Sequence, residues 1–137
     1  MTTQGSALRI LALVPPGRRS EIARQLAPLQ ADVLFVGHPA EAEAAIHEDD
    51  AFQVGLLPAS LSDTDWWELW GLLTSLNQRP ALLVYARNAS FELWSGVLDS
   101  GGFDVIVEPF SDEELRDAVL RAAKSFEQGS AGAIDQE

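Results

Sequence analysis

The chain has 137 residues, 47% of them hydrophobic and 22% charged, the balance of one globular domain. It carries 9 Lys and Arg against 21 Asp and Glu, a formal net charge of −12, whereas nucleic-acid binders need a basic face to neutralise phosphates, so DNA and RNA are not expected partners. The absence of Cys removes disulfides, thiolate metal sites and thiol nucleophiles from consideration.

The longest apolar runs reach about seven residues, while a membrane span needs about 20. The opening MTTQGSALRI lacks the charged and apolar segments of a signal peptide. The expectation is therefore a cytoplasmic protein with no membrane partner. The acidic excess reads as a soluble surface, with a basic partner as the alternative.

Five short apolar runs are predicted strands, and helical segments lie between them. The first run is Ala7 to Val14, followed by a helical period from about Arg18 to Leu29 with Ile22, Leu26 and Leu29 on one face. The second run, Asp32 to Gly37, leads to a helix opened by Pro39 and continuing through Ala45 and Ile46. The third, Phe52 to Leu57, is followed by a helix predicted to start at a capping Asp65, with Glu68 three residues on. Trp67, Trp70 and Leu73 are assigned to that helix's buried face. The fourth run, Ala81 to Ala86, leads to a helix from about Ser90 to Ser100 that stops at Gly101. The fifth, Phe103 to Val107, precedes a helix opened by a Ser111/Glu114 capping box, with Leu115, Val119, Ala122 and Phe126 on one stripe.

Near-continuous apolar strands alternating with helices imply a parallel sheet covered on both faces. The predicted fold is a three-layer α/β/α doubly wound domain over residues 7–127, with a five-stranded sheet in the order 2-1-3-4-5. Residues 1–6 and 128–137 are small and polar, the composition of disordered tails.

The segment GGFDVIVEPFSDEEL, with Gly101, Pro109 and Phe110, resembles the end of a response-regulator receiver domain of the CheY-like family. RPALLVYAR and LPASLSDTDWWEL resemble that family's fourth strand and the exit from its third. The resemblance spans roughly residues 8–126 and implies a cis bond before Pro109. It also implies what a working receiver holds at the C-terminal strand ends: an acidic pair for Mg²⁺ after the first strand and a phosphoryl-accepting Asp after the third. A Thr or Ser ends the fourth strand and a Lys the fifth. Those groups position the phosphoryl oxygens and neutralise their charge.

At the matching positions this sequence has Val14, Pro15 and Pro16, then Pro58, then Tyr85, then Glu108. Proline offers no nucleophilic atom, and Glu108 puts an anion where the family has a cation. Val105 stands at the place of the family's switch aromatic. The resemblance thus implies a degenerate receiver, a pseudo-receiver that takes no Mg²⁺ and no phosphoryl group, with no other cofactor or metal expected.

Several residues admit two readings. Pro15 and Pro16 either reshape the loop or only enter a helix. Asp63 is either a substitute acceptor or a charge near a helix start. Trp66 and Trp94 are either packing residues or anchors for a partner. Glu108 could pair with Tyr85, or with Arg18, Arg19 or Arg87. His38 and His47 are too far apart for metal spacing. Asn88-Ala89-Ser90 matches a glycosylation acceptor by chance.

With no nucleophile–base pair, enzymatic turnover is not expected. What the resemblance implies is a stand-alone module of a two-component (phosphorelay) pathway, acting on an unidentified signalling protein. It could also form a homodimer through the fourth helix, fifth strand and fifth helix. The alternatives are a small-molecule sensor binding at the C-terminal strand ends, and phosphorylation at a non-standard carboxylate such as Asp63.

Overall fold

The computed structural model describes residues 8–48, 51–59, 63–76, 79–88 and 90–135, with the side chains of 63–66 and 128–135 outside the description. Five strands form one parallel sheet: β1 Arg9–Leu13, β2 Asp32–Val36, β3 Val54–Pro58, β4 Ala81–Ala86 and β5 Asp104–Val107. Their order is β2-β1-β3-β4-β5, the predicted one. The three inner strands are buried almost throughout, because helices cover both faces. The edge strands β2 and β5 are less covered, and Leu34 and Val107 show 38% and 45% of their surface.

Side chains alternate across the sheet and so divide the core in two. On one face Ile10, Ala12, Leu56 and Leu83 meet Ile22 and Leu26 of α1 (Arg19–Leu26) and Leu115 and Val119 of α5 (Asp112–Asp135). On the other, Leu11, Leu57 and Val84 meet Ile46 of α2 (Pro39–Glu48), Leu69 and Trp70 of α3 (Asp63–Thr74), and Val97 of α4 (Phe91–Asp99).

The helical stretch read over 18–29 is broken into three pieces. A 3-10 turn over Pro16–Arg18 precedes α1, and a second over Ala27–Leu29 follows it. Pro28 lacks the N–H that the α ladder requires, and Gln30 at φ 55° ends the run. α3 starts at Asp63, two residues before the predicted cap, so Asp65 lies in its first turn. Trp67 is not a core residue as its spacing suggested: it is 58% exposed. The buried stripe centres on Leu69, Trp70 and Leu73, and at about 100° per residue Trp67 sits roughly a third of a turn away from it. The Trp70 indole N–H donates to the Ser100 carbonyl at 2.7 Å, so its polar edge is satisfied inside the core.

Helix ends behave as their residue types dictate. Ser90 caps α4, its Oγ accepting from the Leu93 N–H at 3.0 Å. Ser111 and Glu114 form the reciprocal box at α5: Ser111 Oγ accepts from the Glu114 N–H at 3.0 Å, and the Glu114 carboxylate accepts from the Ser111 N–H at 2.7 Å. Gly101 adopts φ 96° after α4.

The backbone of α5 continues to Asp135, past the domain end expected at 127, since an established helix gains a hydrogen bond with each added residue. The tail expected at 1–6 lies outside the described residues, as do 136 and 137. Among the described residues no helix is long and apolar enough to cross a membrane.

Candidate functional site

The C-terminal ends of β1, β3, β4 and β5 open onto a crevice of about 760 Å³. Val14, Pro15, Pro16, Pro58, Tyr85 and Glu108, the six positions singled out in the sequence, all line it. The sheet register makes them neighbours: Pro58 pairs with Tyr85, and Tyr85 with Ile106, two residues before Glu108. Proline is tolerated at the end of an inner strand because the β1–β3 ladder stops at Ala12 and Leu56. The next residue resumes pairing, with the Ala59 N–H on the Tyr85 carbonyl at 2.9 Å.

Tyr85 is 5% exposed, and its ring is part of the core face shared with α1 and α5. Its hydroxyl does not reach Glu108. It donates instead to the carbonyl of Leu13 at 2.7 Å, crossing from β4 to the end of β1 over the tip of β3. Burial, more than any charge, favours the neutral phenol and pushes its pKa up to about 12; Arg18 opposes the shift and Glu108 adds to it.

Of the three arginines that could have met Glu108, Arg18 does so. The Pro16–Arg18 turn, closed by the Arg18 N–H on the Pro15 carbonyl at 2.9 Å, brings that side chain from the exit of β1 to the exit of β5. The two prolines thus serve a tight turn. Arg18 also lies over the Tyr85 ring, 5.8 Å from its centroid. Arg19 turns the other way, its Nε donating to the Val14 carbonyl at 3.2 Å.

The peptide bond between Glu108 and Pro109 is cis, as the resemblance implied.

No family model matches the chain, and no curated protein matches it. Solved structures do. The chain is similar to the signal receiver domain of a protein assigned as a LuxO repressor from Vibrio parahaemolyticus, with TM-score 0.78 and 15% identity over 91% of this chain and 96% of that one. It is similar to a CheY-like response regulator receiver domain protein from Methanospirillum hungatei, with TM-score 0.76 and 20% identity over 90% and 98%. It is also similar to a chemotaxis protein, CheY4, from Vibrio cholerae, with TM-score 0.73 and 18% identity over 85% and 98%.

This is the receiver fold. Within it, the described residues at the crevice do not fit the Mg²⁺ that a working receiver holds. Mg²⁺ asks for carboxylate and water oxygens in octahedral array. Of the six positions only Glu108 has a carboxylate, and Arg18 is bound to it. Among the described residues no group of three or more potential ligands could hold a metal ion.

Of the remaining candidates, Trp94 and Val105 lie elsewhere on the receiver fold. Trp94 is 43% exposed on α4, its ring 6.1 Å from that of Phe91, which is 76% exposed. Val105 on β5 is half-buried and packs against the second core. The side chains of Trp66 and Asp63 lie outside the described residues. Sequence reasoning missed the Leu13 carbonyl as Tyr85's partner, because a backbone acceptor has no signature in a sequence. It also passed over Asn88 and Leu93 as lining residues, both of them beyond the strand ends it concentrated on.

Proposed function

We propose that this chain is a receiver-like signalling module that works without phosphoryl transfer, through contact with another protein in a two-component type of pathway. The observation that carries the reading is that Tyr85 and Glu108, two of the groups lining the crevice, are engaged within the protein itself. Tyr85 is bound to the Leu13 carbonyl, and Glu108 is bound to Arg18. Phosphoryl transfer depends on positioning and on neutralising charge at the transferred oxygens. Here the position of the neutralising cation holds an anion, and the acceptor position holds Pro58. The exposed Phe91 and Trp94 on α4 and Val107 on β5 supply apolar surface for a signalling partner or a second copy through α4, β5 and α5.

The test is titration with Mg²⁺, with and without beryllofluoride, followed by tryptophan fluorescence and two-dimensional NMR. No saturable change is expected. A saturable, Mg²⁺-dependent shift would overturn the reading and point to a carboxylate such as Asp63. A second reading, small-molecule sensing, is favoured by the crevice itself, since doubly wound folds bind ligands beyond the C-terminal strand ends and its volume suits a small molecule.

A further inference from the structure

In this acidic chain most arginines are already claimed by carboxylates. Arg9 meets Asp32, Arg24 and Arg116 meet Asp112, and Arg121 meets Asp104 and Asp117. In the crevice one arginine is paired with a carboxylate and one is not. Two cations, Arg18 and Arg87, line it against one described carboxylate, Glu108. Arg18 is spent on Glu108, which leaves Arg87, exposed and without an ion-pair partner among the described residues. Asn88 beside it adds amide donors to the same wall. Arg87 is therefore a local cation at the mouth of this crevice, on a body of charge −12, and a point to which an anion can be drawn.

The other walls set the rest of the ligand. Val14, Pro15, Pro58 and Leu93 give the crevice apolar sides. A small hydrated anion gains nothing from such walls and loses water to reach them. An anion with an apolar body gains from both: the guanidinium offers charge-assisted hydrogen bonds to a carboxylate, and the walls take the hydrocarbon.

We propose that the crevice binds a small organic acid, its carboxylate held by Arg87 and Asn88 and its apolar body against Pro15, Pro58 and Leu93. This rests on the small-molecule reading and names the class of ligand.

The full chain would be titrated with hexanoate and 4-phenylbutyrate, with the two corresponding neutral amides, and with inorganic phosphate, following backbone amides by NMR. Saturable shifts centred on Ala59, Ala86 and Asn88 are expected, with the carboxylates binding about ten-fold or more tightly than the amides. Arg87→Gln should remove that preference while leaving amide binding unchanged. Arg79→Gln, at the opposite end of β4, should change nothing, and the spectra of both variants report whether they stay folded. Equal binding of acids and amides, or an unchanged preference in Arg87→Gln, would overturn the organic-acid assignment and leave the small-molecule reading standing. Phosphate binding as tightly as the carboxylates would also overturn it, as a site for simple anions. Silence from every probe would sink the assignment and the small-molecule reading together.

Discussion

The Tyr85 hydroxyl donates to the Leu13 carbonyl oxygen at 2.7 Å, tying β4 to β1 across 72 residues of sequence. Both residues are buried, so the bond is shielded from competing water. Tyr85→Phe keeps the ring and removes only the donor. Urea unfolding should show a loss of about 1 kcal/mol with an unchanged denaturant slope. A variant as stable as the parent would mean that the bond only orients the ring.

The chain has one tyrosine, so its ultraviolet difference titration reports Tyr85 alone. Burial pushes the phenol from its ordinary 10.0 up to about 12. The fold favours the protonated form, so this contribution to stability is fully present below pH 10 and is lost as pH rises from 10 through about 12. Glu108→Gln removes an anion that raises the value, so the midpoint should move down. A midpoint at 10 in the parent would contradict the buried placement.

Asp112 opens α5 and binds across to α1, accepting from Arg24 at 3.1 Å and from the Gln25 amide at 3.0 Å. The Arg24 hydrogen bond, then that of Gln25, holds its carboxyl below the usual range. Its contribution to stability is present above that range and is lost as pH falls through the lowered value. Carboxyl NMR titration should show the Asp112 value rising in Arg24→Ala, and rising less in Gln25→Ala. The opposite order would mean that the Arg24 contact is too solvent-screened to matter.

Two glycines should respond oppositely to Ala. A Cβ at Gly102 would lie 2.5 Å from Val97 Cγ1, 2.8 Å from Trp70 Cη2 and 2.9 Å from the Val97 carbonyl. Gly102→Ala should therefore cost about 1–3 kcal/mol. Gly96 lies inside α4 with nothing within 4 Å of such a Cβ, so Gly96→Ala should stabilise by up to about 1 kcal/mol. Paired thermal melts would test the contrast, and equal effects would refute it.

The inner strands could be read from the sequence because burial on both faces leaves a continuous apolar run in each. The Ser111/Glu114 box could be read because both partners lie within one turn. Three aromatic residues at the start of α3 could not be sorted by spacing alone. Trp67 and Trp70 share a helix face loosely, and only the sheet beneath decides that Trp70 is covered and Trp67 exposed. The break in the first helix lay in Pro28, whose missing N–H the apolar spacing of Ile22, Leu26 and Leu29 masked.

For the site, the sequence through its resemblance to receivers put prolines, a phenol and an anion at the strand ends, and those groups line the crevice. That follows because strand order and register place fixed sequence positions at one edge of a parallel sheet. Which groups bind each other was decided only in three dimensions. Arg18, Arg19 and Arg87 are equivalent as cations in a sequence, yet a 3-10 turn sends Arg18 to Glu108, Arg19 folds back on a carbonyl, and Arg87 stays at the rim. Side-chain reach and backbone direction separate them, and neither is encoded in residue type.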